Sequence, residues 1–245
     1  MSTTLCITMA GRGQRFRDAG YDVPKYEIEV HGRTLLRWSL DAVRSWTRSG
    51  AHAVFLPRAE DAARESIAAA CAAEGVASHA IVELEGTTDG QATTALLAGE
   101  AVRDPAAAFV VFNIDTHVRP DAMRAQDARG DGWIPCFPGA GDAWSFARCE
   151  PGTTRVVEVR EKVRISEHAT VGLYWFASFE AYAALYERHF AGGAGTERGE
   201  RYIAPMYGTL VREGGEVHAG LVAAEDVVPL GTPAEVARFA AAAAP

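Results

Sequence analysis

Hydrophobic positions in the first half of the chain alternate between short continuous runs and helical stripes. Residues 5–9 form an apolar run of strand length. Residues 34–47 place Leu35, Leu36, Trp38, Leu40, Val43 and Trp46 on one face of a helix. Residues 51–56 predict a second strand, stopped by Pro57. Residues 60–74 predict an alanine-rich helix with Gly75 as its C-terminal stop. A third strand is expected over 77–84, then a polar loop over 85–90, a helix over 91–103, and a β run over 107–112 that ends in Asn113-Ile114-Asp115-Thr116. Strands alternating with helices in this way predict an α/β fold with a parallel sheet covered on both faces. Ligands of such sheets sit at the carboxyl ends of the strands. The segment after Met9, the 85–90 loop and Asp115 all follow predicted strands, so one crevice can receive all three.

Beyond Thr116 the pattern changes. Residues 132–137, 144–150, 155–161 and 170–176 read as strands, with Pro151-Gly152 turning two of them into a hairpin. Helices return over 179–189 and 202–213, separated by a glycine-rich segment, 190–200, expected to be a mobile loop. A last strand over 216–222 precedes Gly231-Thr232-Pro233 and a terminal helix that runs into alanines. No internal repeat is visible.

Composition narrows the classes. The length of 245 residues suits one α/β domain, and 48% hydrophobic content supplies a sizeable core. A net charge of −8 argues against a general nucleic-acid or anionic-membrane binder. Residues 1–11 have no basic n-region and too short an apolar run for a signal peptide, so none is expected, and no stretch approaches the ~18 apolar residues of a membrane span. Cys6, Cys71, Cys136 and Cys149 are widely spaced with no CxxC pair, so reduced thiols and a cytoplasmic location are expected. The seven histidines show no metal-ligand spacing, and none is assigned to a metal.

Against this acidic body, residues 9–25 (MAGRGQRFRDAGYDVPK) concentrate Gly11, Gly13, Arg12, Arg15, Arg17 and Lys25. Glycines let backbone N–H groups approach phosphate oxygens, and fixed cations offset their charge. The same residues also fit a tight turn with solvated arginines. Neither G-x-G-x-x-G, which fails at Phe16, nor a Walker loop is present. Asp115 suits Mg²⁺, which takes one or two carboxylates beside phosphate oxygens and water, or else a loop aspartate. Gln91 offers an amide able to read a base edge, or else marks a helix start capped by Thr88 or Asp89. Glu161 falls on a strand face with apolar neighbours, or else at an exposed strand end.

Taken together, these segments resemble the nucleotidyltransferases that make nucleotide-activated sugars and related metabolites. Arg15-Phe16 and Pro24-Lys25 match the signature loop of that family, and N-I-D-T around Asp115 resembles its first metal-binding aspartate segment. The loop Glu85-Gly86-Thr87-Thr88-Asp89-Gly90-Gln91 is similar to its nucleotide-base loop, and E-K-x-x-I-S…A-x-x-G-x-Y-x-F from Glu161 resembles its acceptor segment. The resemblance implies a GT-A-like, Rossmann-like three-layer α/β/α fold with a mostly parallel central sheet. It implies one domain over 1–245, with an NTP-binding half of about 1–116 and an acceptor half of about 117–245. Arg15, Lys25 and Lys162 would be catalytic; Ala10, Gly11, Gly13, Thr88, Gly90, Gln91 and Asn113 would hold the nucleotide. Glu161 and Gly172 would line the acceptor pocket. Asp115 would bind Mg²⁺. The closing D-x-G-T-P segment carries Pro229 where an aspartate is usual, so Asp226, three residues back, is the expected second contact.

The implied reaction joins an NTP to a phosphorylated sugar or small metabolite, giving an NDP- or CDP-type product and pyrophosphate. Its partners would be those two small molecules, without nucleic acid or membrane, and a homo-oligomer is compatible with it. A glycosyltransferase using a nucleotide-sugar donor and an inactive nucleotide-binding domain are the alternatives.

Overall fold

In the computed structural model, which describes residues 3–243, apolar runs and helical stripes sort onto a single ten-stranded sheet. The first half contributes β1 (Thr4–Thr8), β2 (His52–Leu56), β3 (His79–Ile81) and β4 (Phe109–Asn113), all parallel in the order β3-β2-β1-β4. The second half continues the same sheet with β5 (Gly132–Pro138), β6 (Ser145–Cys149), β7 (Val156–Glu161), β8 (His168–Thr170), β9 (Leu173–Phe176) and β10 (Val217–Leu221). Beyond β4 the order is β9-β5-β8-β6-β7, with β10 paired parallel to β5. β1 to β6 and β10 run one way; β7, β8 and β9 oppose them. The sheet is mostly parallel, as expected.

Period-two alternation builds the layers. With the helices numbered from α1 (Gln14–Asp18), Leu5, Ile7, Phe55, Val110 and Phe112 face one core, with Leu36 and Leu40 of α2 (Leu35–Ala42), Trp46 of α3 (Arg44–Arg48), and Ile67 and Cys71 of α4 (Arg64–Glu74). Cys6, Val54, Phe109 and Val111 face the other. There they meet Ala92 and Ala95 of α5 (Gln91–Leu97), Tyr182 and Leu185 of α6 (Phe179–His189), and Met206 of α7 (Ala204–Arg212). A third, smaller cluster packs Phe16 against Leu230, Val236 and Phe239 and so ties the terminal helix, Pro233–Ala241, to the N-terminal loop. Among the described residues no helix is long and apolar enough to cross a membrane.

Several expected elements are shorter than their patterns. The 34–47 stripe breaks at Val43 (φ −106°, ψ 18°), which lets the Trp46 indole and the Ser45 hydroxyl both donate to the Met123 carbonyl. The 60–74 helix starts only at Arg64, because Ala62 is left-handed and the Asp61 carboxylate is taken by Arg58. The 77–84 strand keeps three ladder residues. Pro57, directly after the neighbouring strand β2, has no N–H to donate, and pairing resumes only as an Arg58–Leu84 bridge. The 91–103 helix gives way to a 3-10 turn after Leu97. The 170–176 run divides into β8 and β9 at Gly172, whose φ is +87°. The 190–200 segment contains a 3-10 turn over Ala191–Gly193.

Candidate active site

The carboxyl ends of β1 and β4, the glycine loop and the end of β7 converge on one cleft of about 860 Å³. The glycine loop leaves β1 and turns into the short helix Gln14–Asp18, anchored by buried Phe16. Gly13 caps that helix in the left-handed region (φ 61°), a conformation costly for any other residue. Gly11 has no neighbour within 4 Å even for an added Cβ, so the space beside it belongs to the cleft. Ala10, Arg15 and Lys25 line the same wall, and Arg12 reaches the Thr87 hydroxyl at 3.3 Å, joining the glycine loop to the 85–90 loop.

Lys25 follows Pro24, and its side chain is 14% exposed, with Nζ 3.7 Å from the Asp115 carboxylate. Burial lowers its pKa from the ordinary lysine value, and Asp115 and Glu235 oppose that shift. Asp115 sits in the turn after β4 with its side chain 43% exposed toward the cleft. A Cβ placed on Gly231 would stand 3.5 Å from a Glu235 carboxylate oxygen and 3.8 Å from one of Asp115, so both acids face the same point.

Asp226 is not brought there. The strand Val227–Pro229 pairs antiparallel with Thr116–Val118, placing Pro229 opposite Thr116 beside Asp115. Three residues further back is about 10 Å along a strand. Asp226 instead pairs with Arg119 at 3.0 Å and does not line the cleft. The second carboxylate near Asp115 is Glu235, in the first turn of the terminal helix, a residue the sequence reading passed over.

The residues expected to hold the nucleotide all line this cleft, and two details differ from the sequence pattern. Helix α5 is capped by Gly90 and by no side chain. Thr88 donates to the Gly90 carbonyl at 2.9 Å, and Asp89 accepts from the Thr93 hydroxyl. Gln91 spends its amide nitrogen on Thr8 Oγ1, at 3.2 Å, and on Asn113 Oδ1. What it offers a ligand is therefore its carbonyl oxygen.

Elsewhere in the cleft, Glu161 ends β7 facing inward, with a buried carboxylate that accepts from the Ser145 hydroxyl. Successive residues of a strand point to opposite faces. Lys162 would therefore leave the cleft, but its left-handed backbone (φ 51°) breaks the pleat and turns Nζ back, 3.5 Å from Glu161. Nζ donates to the Tyr202 hydroxyl at 2.8 Å. Burial lowers the Lys162 pKa, but Tyr202 and Glu161 outweigh it, and the net shift is upward. Gly172 packs on Asn113 so tightly that a Cβ would lie 2.6 Å from Nδ2.

Ser145, Tyr174, Tyr202 and Arg58 also line the cleft and were not singled out in sequence. One compositional signal marks the site plainly. The chain holds 22 arginines and two lysines, and both lysines are here.

Neither a family model nor a curated protein sequence matches the chain. Among solved structures, it superposes on the nucleoside-diphosphate-sugar pyrophosphorylase from Vibrio cholerae RC9 with a TM-score of 0.89 and 35% identity, covering 98% of this chain and 100% of that one. The inositol-1-phosphate CTP transferase from T. maritima (TM-score 0.75, 15% identity, 98% and 95% covered) has the same fold. So does a UDP-glucose pyrophosphorylase complexed with UDP-glucose (TM-score 0.76, 14% identity, 98% of both chains). A likeness at 35% identity over nearly all of this chain and the whole of the other is one of kinship as well as shape, and the protein belongs to the sugar-phosphate nucleotidyltransferase family.

Proposed function

We propose that the protein transfers a nucleotidyl group from an NTP to a phosphorylated sugar or similar small metabolite. The carrying observation is that the only two lysines of the chain line one cleft on separate elements, Lys25 with the glycine loop and Lys162 beside Glu161. A volume of about 860 Å³ is at the upper end of the ~300–1,000 Å³ range of small-molecule sites, as two substrates held together require.

An acceptor phosphate oxygen forms a bond to the α-phosphorus, and the bond from that phosphorus to the bridging oxygen breaks. Pyrophosphate leaves with the electron pair. A phosphate monoester is already nucleophilic at neutral pH, so no general base is needed. The protein's part is positioning and charge neutralisation. Arg15 and Lys25 hold the triphosphate with the amides of Gly11 and Gly13. Lys162, kept cationic by Tyr202 and Glu161, holds the acceptor phosphate. Glu161 and Ser145 offer hydroxyl-binding groups to the acceptor.

The donor set fits Mg²⁺ carried in with the phosphates. Asp115 is half-exposed to the cleft and Glu235 adds one more carboxylate, matching a cation that keeps most of its ligands from phosphate and water. Bound there, Mg²⁺ would neutralise charge developing on the phosphates. Three buried free cysteines, Cys6, Cys71 and Cys136, support a reducing location, the cytoplasm.

The test is pyrophosphate release from each of the four NTPs against a panel of sugar phosphates and other phosphorylated metabolites with Mg²⁺. Release that requires both substrates is expected. Sugar transfer from a nucleotide sugar with no pyrophosphate release would overturn the assignment.

A further inference from the structure

The first amides of a helix have no partner within it and need an acceptor from elsewhere. For α5 no capping side chain provides one. The Ala92 N–H instead donates to the Arg201 carbonyl at 3.0 Å, while the Arg201 N–H donates to the Asp89 carbonyl at 2.8 Å. Backbone bonded on both sides of Gly90 approaches so closely that a Cβ there would stand 2.4 Å from the Arg201 carbonyl oxygen. Gly90 itself, at φ 148° and ψ 173°, occupies a region essentially closed to other residues. The Arg201 guanidinium adds an ion pair to Asp89 at 3.1 Å and a hydrogen bond to the Tyr186 hydroxyl.

The next residue holds the other lysine. Tyr202 accepts from Lys162 Nζ at 2.8 Å, and the ammonium lies 4.5 Å from the centre of its ring. One peptide unit therefore separates the residue that clamps the 85–91 segment from the residue that positions Lys162. Arg201 is fixed to that segment by two main-chain bonds and an ion pair, so a movement of the loop moves Tyr202 with it.

We propose that Arg201-Tyr202 is a strut that transmits nucleotide binding to Lys162, with Tyr202 as the positioning residue, a step that rests on the reading of residues 87–91 as nucleotide contacts and of Lys162 as the acceptor's phosphate ligand. A lysine on a flexible four-carbon stem loses rotamer freedom when it grips a phosphate. Ordering it when the nucleotide binds removes part of that cost before the acceptor arrives, and preorganised sites bind more tightly. By linkage the acceptor then tightens nucleotide binding by the same factor. The two substrates are coupled through protein as well as through their own contact.

The two-lysine composition allows a direct test without an acceptor. Protein labelled at the lysine Cε carbons gives two side-chain resonances, assigned with Lys25→Arg and Lys162→Arg. Each of the four NTPs is titrated with Mg²⁺. The NTP that binds should move both resonances, Lys25 by contact and Lys162 through the strut. In Tyr202→Phe, which keeps the ring but removes the acceptor atom, the Lys25 shift should persist and the Lys162 shift should be lost. A Lys162 shift that survives Tyr202→Phe overturns the strut, as does a wild-type titration in which Lys25 moves and Lys162 does not. If neither lysine responds to any NTP, the nucleotide-site reading itself fails, and the strut with it. Should Tyr202→Phe not fold, Tyr202→Leu carries the same test with both the hydroxyl and the ring face removed: a lost Lys162 response beside a persisting Lys25 response supports the strut, and an unchanged Lys162 response refutes it.

Discussion

Replacing Gly90 with alanine should damage this protein far more than the size of a methyl group suggests. At φ 148° and ψ 173° an alanine pays roughly 1–3 kcal/mol in backbone strain. Its Cβ would also stand 2.4, 2.5 and 2.9 Å from the O, N and C of Arg201, which are backbone atoms that no rotamer change can move. Arg201 must withdraw, which breaks the main-chain bonds to Ala92 and Asp89, each worth about 0.5–1.5 kcal/mol net. The sum is roughly 2–6 kcal/mol. That is a large share of the about 5–15 kcal/mol that holds a typical domain together. Urea unfolding should show a midpoint lowered by about 1 M or more, since slopes are about 1–3 kcal/mol/M. NTP affinity should fall at least about tenfold, because the displaced segment is the proposed nucleotide loop. Gly86→Ala is the control. It lies in the same loop with nothing within 4 Å and no positive φ, so its stability should stay within about 0.5 kcal/mol of wild type. Equal midpoints for the two variants would refute the close-approach account of Gly90.

Asp115→Asn should leave the melting transition nearly unchanged, since the side chain is half-exposed, yet abolish most turnover and weaken Mn²⁺ binding measured by electron paramagnetic resonance; near-normal turnover at saturating Mg²⁺ would remove Asp115 from the site. Asp226→Asn, whose carboxylate pairs with exposed Arg119 away from the cleft, should keep activity within about twofold and cost no more than about 1 kcal/mol. Lys25→Ala should weaken NTP binding and slow turnover with every acceptor, whereas Lys162→Ala should raise the acceptor KM and spare NTP affinity. A loss of about 10²–10³ is expected where the cation acts in the transition state, and separate titrations of the two substrates show which one suffers. Burial pushes the thiols of Cys6, Cys71 and Cys136 above their ordinary range. Burial raises the Cys149 thiol as well, but it alone of the four is only half-buried, so iodoacetamide on native protein should label it first, and equal labelling of all four would contradict the described packing.

The parallel half of the fold was legible because buried strands and amphipathic helices write their burial into the sequence. Residues 5–9, 51–56 and 107–112 match β1, β2 and β4 to within two residues. What the pattern left out is tertiary. Val43 is apolar and in phase, so nothing local marks the helix break that frees Trp46 for Met123. The shortening of β3 depends on a proline in its neighbour. Within the site, the glycine loop, Asp115, Glu161 and Lys162 were readable as motifs, and the structure brings them to one cleft. Asp226 was placed by counting back from Gly231, and counting cannot show that a paired strand carries it away. Glu235 escaped because a glutamate three residues after a helix-capping threonine looks like an ordinary helix start. Tyr202 escaped because its role exists only once Lys162, forty positions earlier, folds back beside it.

The central claim is transfer of the α-phosphoryl group with its nucleoside attached, and the fate of label tests it most directly. Wild-type protein is incubated with Mg²⁺, a phosphorylated acceptor, and NTP labelled either at the α- or at the γ-phosphate. Nucleotidyl transfer predicts α-label in a new acceptor-linked product and γ-label in pyrophosphate alone. Label from the γ-phosphate in the product would mean phosphoryl transfer, and no product across all four NTPs and the acceptor panel would mean no nucleotidyltransferase at all; either result contradicts the account.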